Sequence, residues 1–227
     1  MLPISIEMIF ENVNTTPFEH AFTCIIAGAT GSGKTNFLTQ ALLHSGETFN
    51  KPIERLVYCY GVYLNDTFAT LQSHFPQLEL IQGLNTLEEI EFDPSVNNLL
   101  IIDDLMTDVV KSTAVSNYFT RGSHHKNLSI VLLTQNYFHQ GSVARTINLN
   151  AHYTVLFKNP RNVQQISFIG RQMFSTDREL KEAYRDATER PYGYLFIDFK
   201  QSTPDQLRLK TNVLPTDPQP CIVYVPK

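Results

Sequence analysis

One stretch limits the folds open to this chain more than any other: Gly28-Ala29-Thr30-Gly31-Ser32-Gly33-Lys34-Thr35. It fits G-x-x-x-x-G-K-[ST] at every required position, the pattern of a loop whose backbone amides cradle phosphates. The flanks carry the matching signals. Ala21 to Ala27 is an apolar run that reads as a buried parallel strand. Asn36 to Leu43 places Phe37, Leu38, Ala41 and Leu42 at helical spacing. Glycine-rich turns before helices are common, but a Lys-Thr pair in register between a strand and a helix sets this one apart.

The residue types suit polyphosphate chemistry. Gly28, Gly31 and Gly33 let the backbone wrap an anion and turn successive N–H groups inward. The helix N-terminus adds a positive dipole end. Lys34 would reach the β- and γ-phosphates, and the Thr35 hydroxyl would hold Mg²⁺. The expected ligand is therefore ATP with Mg²⁺, bound across Gly28, Ala29, Thr30, Gly31, Ser32, Gly33, Lys34 and Thr35.

A second stretch is Asn98-Leu99-Leu100-Ile101-Ile102-Asp103-Asp104-Leu105. Its four consecutive aliphatic residues mark a strand buried on both faces. Two carboxylates arrive at its C-terminal end, where open α/β sheets place their ligand crevice. Standing alone, they would read as a loop opener and helix cap. Beside a phosphate loop they form a Walker B element, with Asp103 holding Mg²⁺ through water and Asp104 placed to polarise the attacking water.

The segment between this strand and the next ends in a polar knot, Arg121-Gly122-Ser123-His124-His125-Lys126. Adjacent imidazoles without Cys or further His nearby do not make a tetrahedral zinc set. The knot reads as a solvated loop, as an arginine finger at Arg121, or as a local nucleic-acid contact. The strand Leu128 to Thr134 follows and closes on Gln135-Asn136, where a polar amide suits a γ-phosphate sensor at Gln135.

Composition narrows the class. A chain of 227 residues fits one α/β domain, and 18 basic against 22 acidic side chains, a formal charge of −4, offer no global field for nucleic acid. Any DNA contact is then local. Cys24, Cys59 and Cys221 are scattered, and an odd number with two members in strands reads as reduced thiols. No apolar run approaches a membrane span of about 18 residues, and no signal peptide is expected from Met1 to Glu7.

The remaining organisation is read more coarsely. Residues 1–20 form a lead-in with one edge strand, 21–214 the ATPase domain, and 215–227 a proline-rich, loosely ordered arm. Ser45-Gly46 is expected to end the first helix, and Asn65-Asp66 to cap the second. Asp108 to Thr120 is expected to be one helix, Tyr137 to Asn150 irregular, and Asp177 a helix cap. Tyr192 to Phe199 and Leu207 to Val213 read as a final antiparallel pair, the second of them an edge strand. The fold class is α/β: a P-loop NTPase of the ASCE/RecA-like kind. Its three-layer sandwich has a mostly parallel central sheet and an antiparallel C-terminal strand pair.

Taken together, Ile25 to Thr35, Leu99 to Met106, Thr120-Arg121-Gly122-Ser123-His124-His125 and Leu133-Thr134-Gln135-Asn136 resemble the FtsK/HerA-type genome-packaging ATPases. The likeness is to the poxvirus-type members carried by Maverick/Polinton-like elements and related double-stranded DNA viruses. Leu149 to Arg161, Asp186-Ala187-Thr188 and Pro191-Tyr192-Gly193-Tyr194-Leu195 are similar to the same group, so the likeness runs over roughly residues 20–215. It implies a ring-forming motor that uses ATP to thread double-stranded DNA into a preformed capsid, docked on portal or vertex proteins. It also implies an extra strand between the phosphate-loop strand and the Walker B strand. The expected setting is inside a host cell, in the nucleus or a viral factory, with no membrane partner.

The resemblance further implies an arginine that completes the neighbouring subunit's site. Arg121 matches that position best, with Arg145 and Arg171 in reserve. Asp104 departs from the pattern, since many motors of the broader class carry Glu there. The segment Tyr137 to Asn150 is a candidate DNA-gripping loop. No nuclease constellation of clustered carboxylates is evident. A HerA-type helicase or translocase is the nearest alternative. A small-molecule kinase lies further away, since it explains neither the Arg121 knot nor the amide at Gln135, as does a scaffold whose ATP binding only sets its oligomeric state, which absence of turnover with intact binding would mark.

Overall fold

The computed structural model describes residues 7–10, 16–122, 126–161, 163–174 and 176–225. Ten strands form one sheet: β1 (Glu7–Phe10), β2 (Thr23–Ala27), β3 (Arg55–Tyr60), β4 (Glu79–Gln82), β5 (Asn98–Asp103), β6 (Leu128–Thr134), β7 (Tyr153–Phe157), β8 (Tyr194–Asp198), β9 (Leu209–Thr211) and β10 (Ile222–Val225). Their order is β1-β10-β9-β8-β7-β2-β6-β5-β3-β4. From β7 to β4 every pairing is parallel, and from β7 to β1 every pairing is antiparallel. Strand β6 lies between β2 and β5, so the extra strand expected from the resemblance is present.

The inner parallel strands β2, β5, β6 and β7 are largely apolar because both faces are covered, while β4 at the margin exposes Glu79 and Gln82. Successive residues alternate between two cores. Cys24 and Ile26 of β2 join Leu99 and Ile101 of β5 on one face, where they meet Phe37, Leu38, Ala41 and Leu42 of helix α1 (Lys34–Leu43). Ile25, Leu100 and Ile102 point to the other face. That face is covered by Val109 of α4 (Met106–Val109) and Val115 of α5 (Thr113–Asn117). It is also covered by Ile147 of α6 (Ser142–Leu149), Ile166 and Ile169 of α7 (Val163–Met173), and Leu180 and Ala183 of α8 (Arg178–Ala187). This period-two split makes the three layers. Two further helices, α2 (Ser45–Thr48) and α3 (Asn65–His74), flank β3 in the chain, and α3 packs against α1.

Several local expectations are corrected. Asp108 to Thr120 is not one helix: α4 ends at Val109 with Val110 as its C-cap, Ser112 caps α5 by accepting from the Val115 amide, and Tyr118–Gly122 is a π-turn. Tyr137 to Asn150 is not irregular throughout, since α6 occupies Ser142–Leu149. His44, not Gly46, is the C-cap of α1, and Gly46 lies in α2. Leu64 precedes α3 with no side-chain cap; Asp177 does stand at the N-cap of α8 as expected, its carboxylate pairing with Lys181 at 2.8 Å rather than capping an amide. The expected edge strand β9 is flanked on its outer side by β10, so the tail read as a loose arm contributes a strand, and β1 pairs with that strand at the sheet's margin.

Among the described residues no helix is long and apolar enough to cross a membrane. Cys24, Cys59 and Cys221 are free thiols, the first two buried.

Candidate active site

The carboxyl ends of β2, β5, β6 and β7 converge on one edge. From β2 the chain leaves through α1 toward β3, and from β6 it crosses to β7 on the other side of β2. That reversal opens a crevice at the strand ends, where open α/β sheets bind ligands.

The phosphate loop lines the crevice. Its first residue is tied to the sheet, the Gly28 amide donating to the Thr134 carbonyl at 3.2 Å. A Cβ on Gly28 would stand 2.5 Å from Phe157 Cβ and 2.7 Å from Ser32 Oγ, so only glycine lets the loop seat on β7. Gly31 and Gly33 take φ of +74° and +107°, the left-handed region that a glycine occupies without strain. Gly33 is the N-cap of α1 and brings no capping side chain, and the first turn holds no acidic residue. The leading amides of α1 are thus left for an anion. Ser32 Oγ is buried and has no hydrogen-bond partner among the described residues. A buried hydroxyl with no partner is costly, and a phosphate oxygen in the loop would supply one.

Lys34 folds back over its own loop, donating from Nζ to the carbonyls of Gly28 (2.8 Å) and Ala29 (3.1 Å). Burial pulls its pKa below the usual lysine range, while Asp103 and Asp104 oppose that shift. The ammonium and both carboxylates therefore act on one another across the crevice. Thr35 follows in the first turn of α1.

Asp103 is the last residue of β5 and accepts from the Tyr58 hydroxyl at 2.8 Å through Oδ2. Burial raises its pKa, the Tyr58 hydrogen bond counters this, Asp104 adds to the rise and Lys34 subtracts from it. Asp104 is exposed, with φ +55°, a left-handed turn that Asp tolerates better than most residues. Gly61 at the end of β3 makes room for this turn. Its amide donates to the Asp103 carbonyl at 3.0 Å, and a Cβ there would stand 2.8 Å from the Asp104 carbonyl oxygen. Gln135, just past β6, reaches Asp104 Oδ1 through Nε2 at 3.4 Å, a long contact. Gln135 in turn accepts at its carbonyl from Asn159 Nδ2, also at 3.4 Å.

Lys34, Thr35, Asp103, Asp104 and Gln135 are thus gathered at one edge. Arg121 is not. It lies exposed in the π-turn ahead of β6, at the amino ends of the parallel strands. The seven residues of β6 separate that end from Gln135, roughly 20 Å at the rise of an extended strand. Ser123, His124 and His125 lie outside the described residues. Arg145 is exposed on α6, and Arg171 stands over the Phe168 ring at 5.8 Å. Tyr58 was not singled out from the sequence, because its place in an apolar strand reads as core and its hydroxyl meets a carboxylate 45 residues away.

The residues fit Mg²⁺ with a bound nucleotide. Among the described residues no group of three or more His, Cys, Asp or Glu could hold a metal. Mg²⁺ does not need such a cage, since it takes one or two protein oxygens plus substrate phosphates and water. Thr35 and Asp103 provide that number.

Residues 10–173 match the family described as poxvirus A32 protein. No curated protein sequence matches the chain. Among solved structures, the chain is similar to the genome packaging NTPase B204 from Sulfolobus turreted icosahedral virus 2, in complex with ATP-gammaS. The identity is 13%, the TM-score 0.51, and the match covers 80% of this chain and 94% of that one. It is also similar to the cytoplasmic domain of the type VII secretion ATPase EccC from Thermomonospora curvata, at 12% identity and a TM-score of 0.52. That match covers 90% of this chain and 25% of that one. At these identities the likeness establishes the fold.

Proposed function

The chain belongs to the poxvirus A32 protein family, and from that premise we propose that it is an ATP-hydrolysing motor of the FtsK/HerA type that packages double-stranded viral DNA into a preformed capsid. The observation that carries the reading is the convergence of the phosphate loop, Asp103, Asp104 and Gln135 on one crevice within this family's matched region. The similar structure whose name describes a genome packaging NTPase, solved with ATP-gammaS, supports the same direction.

The roles follow from position. The amides of Gly28 to Thr35 and the Ser32 hydroxyl take the phosphate oxygens. Lys34 exchanges its two loop carbonyls for the β- and γ-phosphates. Thr35 and Asp103 would hold Mg²⁺, which when bound would neutralise charge on the phosphate oxygens. Tyr58 fixes the rotamer of Asp103. Asp104 orients the attacking water and accepts its proton; the water oxygen bonds to the γ-phosphorus as the bond to the β-γ bridging oxygen breaks, giving ADP and phosphate. Gln135, beside Asp104, registers whether the γ-phosphate is present.

Arg121 cannot serve its own phosphate loop from the opposite edge, so on this reading it acts on a neighbour in a ring. A trans-acting arginine in related NTPases contributes about 10³ to 10⁵ in rate. The ring would dock on capsid portal or vertex proteins and present DNA to a shared channel, whose lining rather than the net charge of −4 sets the local field. Family membership favours the viral factory of the host cell as the setting and lends nothing to the nuclear alternative.

The test is steady-state ATPase activity with and without long double-stranded DNA, on wild type and Arg121→Ala, with the oligomeric state measured in parallel. DNA-stimulated turnover that Arg121→Ala abolishes, while nucleotide binding and ring formation survive, is the expected result. Turnover indifferent to both DNA and Arg121 refutes the motor and leaves a kinase or a nucleotide-dependent scaffold.

A further inference from the structure

The turn between α8 and β8 stands against the phosphate loop, and its outermost residue has no structural task that explains it. Strand β8 runs antiparallel to β7, with Tyr194 opposite Phe157. Residues 188–193 therefore arrive at the carboxyl edge next to the segment on which Gly28 sits. A Cβ placed on Gly33 would lie 3.2 Å from Tyr192 Cδ1 and 3.4 Å from Tyr192 Cβ, so this side chain flanks the last glycine of the loop. Yet Tyr192 is 70% exposed, the most exposed large hydrophobic side chain among the described residues. Its φ is +64°, a conformation that a bulky side chain adopts only under strain.

The turn is held firmly in that shape. A Cβ on Gly193 would collide with the Ala187 carbonyl oxygen, so the residue after Tyr192 has to be glycine. The Gly193 amide donates to the Arg190 carbonyl at 3.1 Å. An exposed aromatic on a strained, fixed turn at the mouth of a ligand site is the pattern of a residue kept for its contact with the ligand.

Direction decides which part of the ligand it meets. Asp104 and Gln135 lie on the β5 and β6 side of β2, and Tyr192 enters from the β8 side. A triphosphate laid over the end of β2 with its γ-phosphate toward Gln135 sends its nucleoside end toward Tyr192. We propose that Tyr192 is the platform on which the base of the bound nucleotide stacks, the phenol ring offering its face to the purine beside Gly33. This rests on the nucleotide site proposed above. A π-face pairs with any base, so the platform adds affinity without choosing adenine over guanine.

The experiment compares equilibrium binding of ATP and of inorganic tripolyphosphate, which has no base. The proteins are wild type, Tyr192→Phe and Tyr192→Asn. Asparagine tolerates the left-handed backbone and removes the ring, so the turn is retained. Stacking on an aromatic side chain predicts that Tyr192→Asn weakens ATP about 5- to 150-fold. Tripolyphosphate binding should stay within twofold, and Tyr192→Phe should bind ATP like wild type. Equal weakening of ATP and tripolyphosphate would show that Tyr192 only shapes the loop and would overturn the platform. So would ATP binding that ignores Tyr192→Asn. A wild-type chain that binds tripolyphosphate no more weakly than ATP also overturns it, while leaving the phosphate loop in place. A wild-type chain that binds neither overturns the nucleotide site itself.

Discussion

Gly28→Ala is the sharpest perturbation the phosphate loop allows. The added methyl would sit 2.5 Å from Phe157 Cβ, 2.7 Å from Ser32 Oγ and 3.5 Å from Phe157 Cα. Carbon atoms in contact prefer roughly 3.5–4.0 Å, so the methyl must move by about 1 Å. Phe157 cannot rotate away, because the clash is with its Cβ, which moves only with the backbone of β7. That backbone is paired on both sides, to β2 and to β8. The loop must therefore lift off the sheet and stretch the Gly28–Thr134 hydrogen bond. Overpacking of this kind costs about 1–3 kcal/mol, which in a chain of this size lowers the melting temperature by roughly 2–12 °C. Nucleotide binding should suffer on a comparable scale, because a displacement of about 1 Å at a positioned site can cost on the order of 100-fold, roughly 3 kcal/mol. Thermal melts alone and with ATP, together with equilibrium ATP binding, measure both effects. Gly46→Ala is the control: nothing lies within 4 Å of its added methyl, no left-handed φ is involved, and it sits in α2. It should leave ATP binding unchanged and shift stability upward by about 0.5–1 kcal/mol at most. If Gly28→Ala melts and binds ATP as wild type does, the close seating of the loop on β7 is wrong.

Three other outcomes are expected. Tyr58→Phe should raise the Mg²⁺ concentration for half-maximal ATPase activity by about 10- to 100-fold, the usual effect of losing a group that orients a metal ligand, with near-wild-type turnover at saturating Mg²⁺; an unchanged Mg²⁺ dependence would count against Asp103 as the metal ligand. Asp104→Asn should retain ATP binding and lower turnover on the order of 100-fold or more, as the loss of a general base does; turnover within threefold of wild type would remove Asp104 from the chemistry. In thiol titration of the native protein, Cys221 should react first: burial raises the pKa of all three thiols, that of Cys59 to about 12, but Cys221 is only half-buried, whereas Cys24 and Cys59 are fully buried and withheld from reagent until unfolding; reaction of all three thiols at one rate in the native state would contradict the sheet packing.

Much of the sheet was legible in the sequence because its parallel strands are buried on both faces. Such strands read as near-continuous apolar runs, as Leu99–Ile102 does, and as Ala21–Ala27 and Leu128–Thr134 do with only Thr23, Ser129 and Thr134 interspersed. The phosphate loop and the carboxylate pair were legible for a different reason: their chemistry fixes residue types at fixed spacing. What the sequence hid depends on partners distant in the chain. Residues 222–225 form a short apolar run among prolines, and only the pairing of β10 with β1 and β9 makes them a strand. Helix α6 was missed because its eight residues are too few for a periodic pattern to stand out. The break between α4 and α5 turns on one hydroxyl, Ser112, capping the Val115 amide within an otherwise continuous apolar pattern. Tyr58 and Tyr192 carry no local signal. One is read as core until its hydroxyl is seen on Asp103, and the other as the first residue of a strand until β8 is seen to start at Tyr194 and the Tyr192 ring to lie beside Gly33.

The two edges of the sheet divide the proposed labour. The carboxyl edge gathers the groups that hold a triphosphate and its water: the loop amides, Lys34, Asp103, Asp104 and Gln135. Lys34 stands there against two carboxylates, so the site's own positive charge is largely committed before any phosphate charge develops in the transition state. Arg121, at the amino edge and exposed, is on the wrong side of its own sheet to relieve that shortage. A second copy turned so that its amino edge faces this crevice would supply the missing charge without any rearrangement inside either subunit. On this reading hydrolysis is tied to assembly, because a lone chain holds ATP well but hydrolyses it poorly. Mixing Arg121→Ala with Lys34→Ala subunits should then restore turnover at sites formed by an intact loop from one chain and an intact arginine from the other. Recovery to about one quarter of the wild-type rate in an equimolar mixture is what random assembly predicts. No recovery in rings shown to contain both subunits would place the arginine's role within its own chain or elsewhere.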